Sequence, residues 1–250
     1  MKHVQLRFYA ELNDFLAPGK RQAAFSHSFK GRVSIKDMIE SLGVPHTEVD
    51  LILVNGQSVG FSYLVQDADH VSVYPVFEAL DITPLVRVRP RVLREPRFVL
   101  DTHLGKLSTY LRMLGFDTLY RNDFLDEELA QIASQEGRIL LTRDRGLLKR
   151  GIVTHGYCVR EKNPRQQLIE VLRRFDLSQA VVPYRRCIRC NGLLEPVAKQ
   201  TVIDRLPPKT ESYYDEFHIC QECKQVYWKG SHYQRMEQFI AGALQEAETA

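Results

Sequence analysis

Apolar and polar residues alternate along the first 80 positions, a pattern typical of β-strands that bury one face. One strand is predicted around Val4, Leu6 and Phe8, and a second over residues 24–29. Asn55-Gly56 directly follows the apolar run LILV. That dipeptide predicts a hairpin turn, because both residues tolerate a positive φ. These elements indicate a small β-rich domain over residues 1–80.

One short amphipathic helix interrupts these strands. Ser34 is predicted to cap it and Gly43 to end it, and VSVYPVF supplies a last strand. The order strand, strand, helix, strand, strand resembles the ubiquitin-like β-grasp fold, most closely its sulfur-carrier branch. Sulfur carriers end in two glycines, whereas this chain continues through Glu78. Residues 1–80 are therefore interpreted as a packing or binding module, for which a protein is the candidate partner.

The pattern changes after residue 80. Residues 81–95 combine prolines and charged residues with few apolar ones, which is typical of a linker. Few contacts are expected to cross such a linker, so the N-terminal domain is predicted to be separable. Over residues 96–180, short apolar runs alternate with segments of helical periodicity. Strict alternation of strand and helix predicts a parallel sheet with helices on both faces.

Three aspartates are predicted to lie at the carboxyl edge of this sheet. Asp101 ends the first strand, Asp126 opens a helix, and Asp144 follows the strand RILLT. Ligands of open α/β sheets bind outside that edge. Carboxylates gathered there repel one another unless a cation lies among them, and oxygen ligands favour Mg²⁺ or Mn²⁺. In the alternative interpretation, Asp126 caps its helix and Asp144 belongs to a turn, without a shared site.

Charge adds a candidate substrate class. The net charge of +3 is too small to predict nucleic-acid binding by itself, but residues 160–189 carry eight basic and three acidic side chains. Such a stretch suits a polyanion, and a solvated basic face is the equal alternative. Arginine also suits phosphate contacts close to the predicted acidic edge. The candidates for such contacts are Arg143, Arg145, Lys106 and Arg112.

Four of the five cysteines form two Cys-x-x-Cys pairs, separated by 29 residues. They are Cys187, Cys190, Cys220 and Cys223. Two such pairs predict a closed, tetrahedral, structural zinc site, and residues 181–250 are interpreted as a zinc ribbon and a C-terminal tail. Tyr227 and Trp228 either cover this site or, with nearby basic residues, face RNA. The fifth cysteine, Cys158, is expected to be a small buried apolar residue.

The same observations bear on the compartment. No apolar run approaches the roughly 20 residues needed to span a bilayer. The N-terminal sequence lacks the apolar core of a signal peptide. Paired cysteines that bind metal rather than each other are typical of a reducing compartment. A cytoplasmic protein without membrane contact is therefore expected.

Several separate blocks of the sequence, in order, resemble the Mut7-C RNase family over about residues 96–236. They are FVLDTHLGKLSTYLRMLGFDTLY, DEELAQIA, RILLTRDRGLL, and RCIRCNG with a later Cys-x-x-Cys and VYWKGSHY. The N-terminal domain resembles the ubiquitin-like domain that some bacterial members of that family add. The resemblance implies a PIN-like nuclease domain followed by a zinc ribbon, and a metal-dependent ribonuclease as the activity.

The resemblance also implies roles for particular acids. Asp101, Asp126 and Asp144 match the metal ligands of PIN-like nucleases, and Glu127 is a candidate fourth ligand or water-orienting group. The fourth acid of a typical PIN site has no clear counterpart after Asp144. A non-catalytic RNA-binding or adaptor protein that keeps the fold is therefore the alternative function.

Overall fold

A computed structural model describes residues 1–75, 87–88 and 96–249 of the chain. The described residues divide into two compact units, one of residues 1–95 with 125–158 and the other of residues 96–124 with 159–250. The linker predicted over residues 81–95 lies outside the described residues, apart from positions 87 and 88. No helix within the described ranges is long and apolar enough to cross a membrane.

The N-terminal elements are β1 (Lys2–Phe8), β2 (Phe25–Phe29), α1 (Ile35–Ser41), β3 (Leu51–Val54), β4 (Gln57–Ser58) and β5 (His70–Tyr74). The middle region contains β6 (Arg97–Leu100), α2 (Gly105–Met113), β7 (Asp117–Leu119), α3 (Asp126–Gln135), β8 (Ile139–Thr142), α4 (Arg145–Leu148), β9 (Gly156–Cys158) and α5 (Pro164–Arg174). The C-terminal elements are β10 (Leu194–Val197), α6 (Lys199–Val202), α7 (Pro208–Tyr213), β11 (Phe217–Cys220), β12 (Val226–Trp228) and α8 (Ser231–Glu248).

The N-terminal strands form one mixed sheet in the order β2-β1-β5-β3-β4. Strands β1 and β5 are parallel and the other neighbours are antiparallel, which confirms the β-grasp prediction. Ser34 caps α1, because its Oγ accepts a hydrogen bond from the Asp37 amide at 3.1 Å. The predicted hairpin turn is present, with φ of +52° at Asn55 and +82° at Gly56. The cap and the turn therefore form where local sequence signals predict them.

The first unit also contains α3, β8, α4 and β9, and it joins them to the N-terminal domain. His46 Nε2 lies 2.8 Å from the Val153 carbonyl oxygen, and Lys149 Nζ donates to the Glu40 carbonyl oxygen at 2.7 Å. Glu48 is fully buried, and its Oε1 accepts from the amide of Cys158 at 2.6 Å. The expectation that few contacts join the N-terminal domain to later residues is therefore wrong, since these hydrogen bonds are buried or half-buried.

Parallel strands confirm the α/β prediction for the middle region. Within the first unit β8 pairs with β9, and within the second unit β6 pairs with β7, each pair in parallel register. All four residues of β8 are buried, as expected of a strand whose two faces are covered by helices. Cys158, at the end of β9, is buried as predicted.

The C-terminal region contains a three-stranded antiparallel sheet, β10-β11-β12, and then a helix of 18 residues. The prediction of a C-terminal tail after the ribbon is wrong, because residues 231–248 form α8. Helix α8 packs on α5: Gln166 Nε2 donates to Glu246 Oε1 at 2.9 Å, and Arg165 forms an ion pair with the same carboxylate. The sequence signal for this helix is the helical spacing of Met236, Ile240 and Ala243.

Candidate metal centre and nuclease site

The four paired cysteines lie together at one end of the ribbon sheet. All four Sγ atoms lie within 4.8 Å of one another. The Sγ atoms of Cys187 and Cys223 are 3.6 Å apart, and those of Cys190 and Cys220 are 3.4 Å apart. Sulfurs about 2.3 Å from a tetrahedral zinc ion lie about 3.8 Å from one another. The cluster therefore has the size needed to hold a metal ion such as zinc.

Two matching backbone turns bring these sulfurs together. The Asn191 amide donates to the Cys187 carbonyl at 2.9 Å, and the Lys224 amide donates to the Cys220 carbonyl at 3.1 Å. Both turn residues have a positive φ, +74° at Asn191 and +60° at Lys224. Next to the first turn, a Cβ on Gly192 would lie 2.9 Å from the Cys220 Sγ. The glycine thus leaves the cluster the space that its sulfurs need.

Hydrogen bonds make the cysteine thiols unequal. Burial raises the pKa of Cys187, but a hydrogen bond from Tyr227 and bonds from the backbone outweigh burial and bring that pKa to about 7. The Tyr227 hydroxyl lies 3.0 Å from the Cys187 Sγ. Burial, followed by the neighbouring thiols, raises the pKa of Cys223 to about 12. A dication would relieve the repulsion that opposes ionisation of all four thiols.

The ribbon is joined to strand β7 by a buried amide. Asn191 Oδ1 accepts from the Thr118 amide at 2.9 Å, and Asn191 Nδ2 donates to Asp117 Oδ1 at 2.8 Å. Arg186 adds an ion pair to the other oxygen of Asp117 at 3.2 Å. These bonds fix the first cysteine turn against the strand.

Arg112, a predicted phosphate contact, instead helps to hold the ribbon against β7. Its side chain is buried and donates to the carbonyl oxygens of Thr118 at 2.9 Å and Arg189 at 3.0 Å. Burial lowers its pKa, an effect that the nearby thiols of Cys190 and Cys187 oppose. The prediction that Arg112 contacts substrate is corrected: its donors bind backbone carbonyls of β7 and of the first cysteine turn.

The candidate acids occupy the ends of regular elements. In the second unit, Asp101 follows β6 directly and is buried, and its Oδ1 accepts from the Thr102 amide at 2.6 Å. In the first unit, Asp144 lies two residues after β8 and caps α4 through the Gly146 amide at 2.7 Å. The alternative that places Asp144 in a turn is therefore wrong in its detail, because Asp144 caps a helix. Capping uses one oxygen of the carboxylate and leaves the other for a ligand.

Asp126 and Glu127 lie exposed in the first turn of α3. Asp126 does not cap its helix, because Leu125 occupies the cap position. An Arg150 guanidinium nitrogen lies 3.9 Å from Asp126 Oδ2. Among the described residues of the first unit, Asp126, Glu127 and Asp144 do not form a group tight enough to hold an ion. Their role as metal ligands stays a prediction.

The other predicted basic contacts have different surroundings. Arg143 is exposed beside Asp144. The guanidinium of Arg145 lies over the Phe15 ring, 4.8 Å from its centroid, so this side chain faces the N-terminal domain. Lys106 is exposed on α2, with its Nζ 5.4 Å from the centroid of the Tyr110 ring. Arg143 is therefore the candidate whose position best suits a phosphate near Asp144.

Comparison with protein families adds to this geometry. The family model of the Mut7-C RNAse domain matches residues 96–240, more than half of the 250-residue chain. This chain belongs to the Mut7-C RNAse family. A second model, Mut7-C ubiquitin, matches residues 1–81, which contain the β-grasp sheet. No curated protein and no solved structure matches the chain. Membership of the Mut7-C RNAse family indicates a nuclease-like function.

The Mut7-C RNAse match ends inside α8, and that helix lines a feature which the sequence does not predict. The first half of α8, β12 and the end of α7 surround a groove of about 890 Å³ in the second unit. Its side chains come from positions between 110 and 239 in the chain. Several side chains of α8 line the groove. A prediction that treats the residues after the ribbon as a tail therefore misses the groove.

Proposed function

We propose that this protein hydrolyses RNA phosphodiester bonds at a Mg²⁺ or Mn²⁺ site formed by Asp101, Asp126 and Asp144. The observation that most directly supports this proposal is the match to the Mut7-C RNAse family model, which covers all three aspartates. Two of the three follow parallel strands at their carboxyl ends, β6 for Asp101 and β8 for Asp144. Those ends are where open α/β sheets bind ligands.

Each side chain would contribute a distinct part of the reaction. The three aspartates would supply anionic oxygen ligands, and Glu127 would add a ligand or orient the attacking water. When bound, the cation would activate that water and stabilise the leaving oxygen. Arg143 would bind a phosphate oxygen beside Asp144. The products would be one fragment with a terminal phosphate and one with a hydroxyl, since water adds across the broken P–O bond.

Cleavage of end-labelled RNA, single-stranded or structured, tests the proposal. With Mn²⁺, Asp101→Asn or Asp144→Asn is expected to lower the cleavage rate at least about 100-fold, because a charged ligand is lost while shape is kept. Asp204→Asn, an exposed aspartate in the ribbon, is the matched control and should cleave like the parent. Parent-like cleavage by both site variants would show that these acids are not the catalyst.

A non-catalytic RNA-binding or adaptor function is the second candidate. The observation that favours it is the sequence after Asp144, where the next acidic residue is Glu161. A protein of this kind would bind RNA tightly and leave it intact with Mg²⁺ and with Mn²⁺. The same cleavage assay, run beside a binding assay, therefore separates the two candidates.

The remaining parts of the proposal concern the two accessory domains. We propose that the cysteine cluster holds a structural Zn²⁺, because four thiolates leave no position open for a substrate. A protein partner of the ubiquitin-like domain stays a prediction. Such a partner would need a surface other than the one formed by Glu40, His46 and Glu48, which are hydrogen-bonded to residues of the middle region.

A further inference from the structure

The groove of the second unit is rich in aromatic rings. It has a volume of about 890 Å³. Rings from several elements line it: Tyr110, Tyr213, Tyr214, Trp228, Tyr233 and Phe239. An aromatic lining of this density offers flat faces on which planar ligands stack.

Packing holds most of these rings in place before any ligand arrives. Tyr214 and Trp228 pack against the apolar core of the ribbon. The rings of Tyr110 and Phe239 lie 4.4 Å apart between centroids, which ties α2 to α8. Tyr213 differs, because 78% of its surface is exposed. The groove therefore combines fixed rings with one exposed ring that can cover a ligand.

Positive charge accompanies the rings. Arg189, Lys209 and Arg235 line the groove and are exposed, and His232 lies beside them. No carboxylate belongs to the lining among the described residues. Arg189, Lys209 and Arg235 also have no carboxylate partner in the part of the chain that the structure describes. The Tyr233 hydroxyl of the lining is hydrogen-bonded to Glu237, so one carboxylate lies close to the groove, and the three cations outnumber it.

Lysines near the groove, in contrast, have carboxylate partners. Outside it, Lys199 pairs with Asp215 at 2.8 Å, and Lys229 pairs with Glu216 at 2.7 Å. The ribbon thus has carboxylates available for pairing, and among the described residues none of them lines the groove. Unpaired cations beside one exposed ring and several half-buried rings match the charge and the flat bases of a polynucleotide strand.

We propose that this groove binds a single-stranded segment of RNA, with bases stacked on its rings and phosphates bound by Arg189, Lys209 and Arg235. An unpaired strand is favoured over a duplex, because stacking on protein rings requires bases that are free of their own stack. A protein segment is the less favoured occupant, since three cations without carboxylate partners suit regularly spaced phosphates. The inference rests on the proposed function only in taking RNA, rather than DNA, as the polynucleotide.

Fluorescence anisotropy with the full-length, zinc-loaded protein tests the groove. The probes are a labelled single-stranded RNA of about 12 nucleotides and the same strand in a duplex, without added Mg²⁺ or Mn²⁺ so that the RNA stays intact. The parent is expected to bind the single strand at least about tenfold more tightly than it binds the duplex. Tyr213→Ala should weaken that binding about tenfold, whereas Tyr213→Phe, which keeps the ring, should bind like the parent.

The contribution of the cationic side chains to RNA binding is tested separately, through the dependence of affinity on salt. The double variant Lys209→Ala with Arg235→Ala should weaken binding and lower the slope of log affinity against log salt by about 1.4, or about 0.7 for each phosphate that is no longer neutralised. The double variant Lys30→Ala with Arg32→Ala removes two exposed charges from the N-terminal domain, outside the groove, and is the matched control that should leave affinity unchanged. Zinc content and melting temperature confirm that each variant is folded.

The outcomes separate this inference from the proposed function. Parent-like binding by Tyr213→Ala and by the double variant overturns the groove as an RNA site and leaves it to a protein segment. Equal affinity for the duplex overturns the single-strand preference. If groove variants lose binding while the parent never cleaves RNA, the inference stands and the proposed function fails. If the parent cleaves and groove variants bind normally, the reverse holds.

Discussion

The ubiquitin-like domain and the zinc ribbon attach to strands of the nuclease region in comparable ways. In the first unit, Glu48 accepts from the backbone amide of Cys158 at the end of β9. In the second unit, Asn191 accepts from the backbone amide of Thr118 in β7. Each accessory domain thus presents one buried side-chain oxygen to a strand amide. A buried strand amide without an acceptor is costly, so each domain completes the hydrogen bonding of the strand that it contacts.

The two domains differ in what keeps them folded. The ubiquitin-like domain has a sheet of five strands and a core that includes Leu6, Phe8 and Ile52, each fully buried or nearly so. The ribbon core is small, with buried residues Val202, Leu206, Phe217 and Val226. So small a core does not offset the conformational entropy of its chain. We therefore expect the ribbon to depend on a bound metal for its folding, and the β-grasp domain to fold without one.

Among the changes that test this comparison, removal of a metal ligand should destabilise the protein most. Cys187→Ser is expected to abolish tight zinc binding and to unfold the ribbon, because metal binding supplies its folding free energy. Elemental analysis should find about one zinc per parent chain, and limited proteolysis should cut the variant within residues 181–230. A folded parent with less than half an equivalent of zinc would contradict the prediction. The ubiquitin-like domain should resist proteolysis in both proteins.

Removal of the buried acceptor in the first unit should have the next largest effect. Glu48→Ala leaves the Cys158 amide without its acceptor and is expected to lower the free energy of unfolding by about 2–3 kcal/mol. Glu48→Gln keeps an oxygen at this position and should lose less. Urea unfolding monitored by circular dichroism measures both. Equal stability of the parent and Glu48→Ala would show that the hydrogen bond to Cys158 does not stabilise the protein.

The corresponding change in the second unit is Asn191→Gly. Glycine keeps the positive φ of this position and removes the bonds to Thr118 and Asp117, so a loss of about 1–2 kcal/mol is expected. Lys224→Gly is the matched control in the second cysteine turn, where φ is also positive and the exposed side chain makes a local hydrogen bond to the Gln221 carbonyl but none to β7. It should be neutral or slightly stabilising. A similar loss of stability in both variants would show that the effect comes from the turn rather than from the hydrogen bonds to β7.

These attachments also mark where reasoning from the sequence stops. The Ser34 cap, the Asn55-Gly56 turn and the cysteine pairs depend on residues within a few positions of one another, and local patterns predict each of them. Glu48 and Cys158 are 110 residues apart, and Arg112 and Arg189 are 77 apart. No local pattern distinguishes an arginine that binds carbonyls in a joint from one that binds phosphate. Only folding brings such partners together.

The smallest expected effect concerns the hydroxyl of Tyr227. That hydroxyl lies 3.0 Å from the Cys187 Sγ and helps to hold the pKa of Cys187 at about 7, against the effect of burial. Tyr227→Phe removes a donor that stabilises the thiolate, so the pKa of Cys187 should rise. Protons then compete with zinc at a higher pH, because the metal binds the deprotonated ligand. Zinc affinity is expected to fall about tenfold, the lower end of the range for a lost partner of a metal ligand.

The measurement is zinc transfer to a chelator, followed from about pH 8 to about pH 5, which spans the titration of a thiol whose pKa lies near 7. Half-transfer should occur at a higher pH in Tyr227→Phe than in the parent. Tyr214→Phe, which removes a hydroxyl elsewhere in the ribbon, should transfer zinc like the parent. An identical pH profile for Tyr227→Phe would mean that the cysteine turns alone set the properties of the cluster.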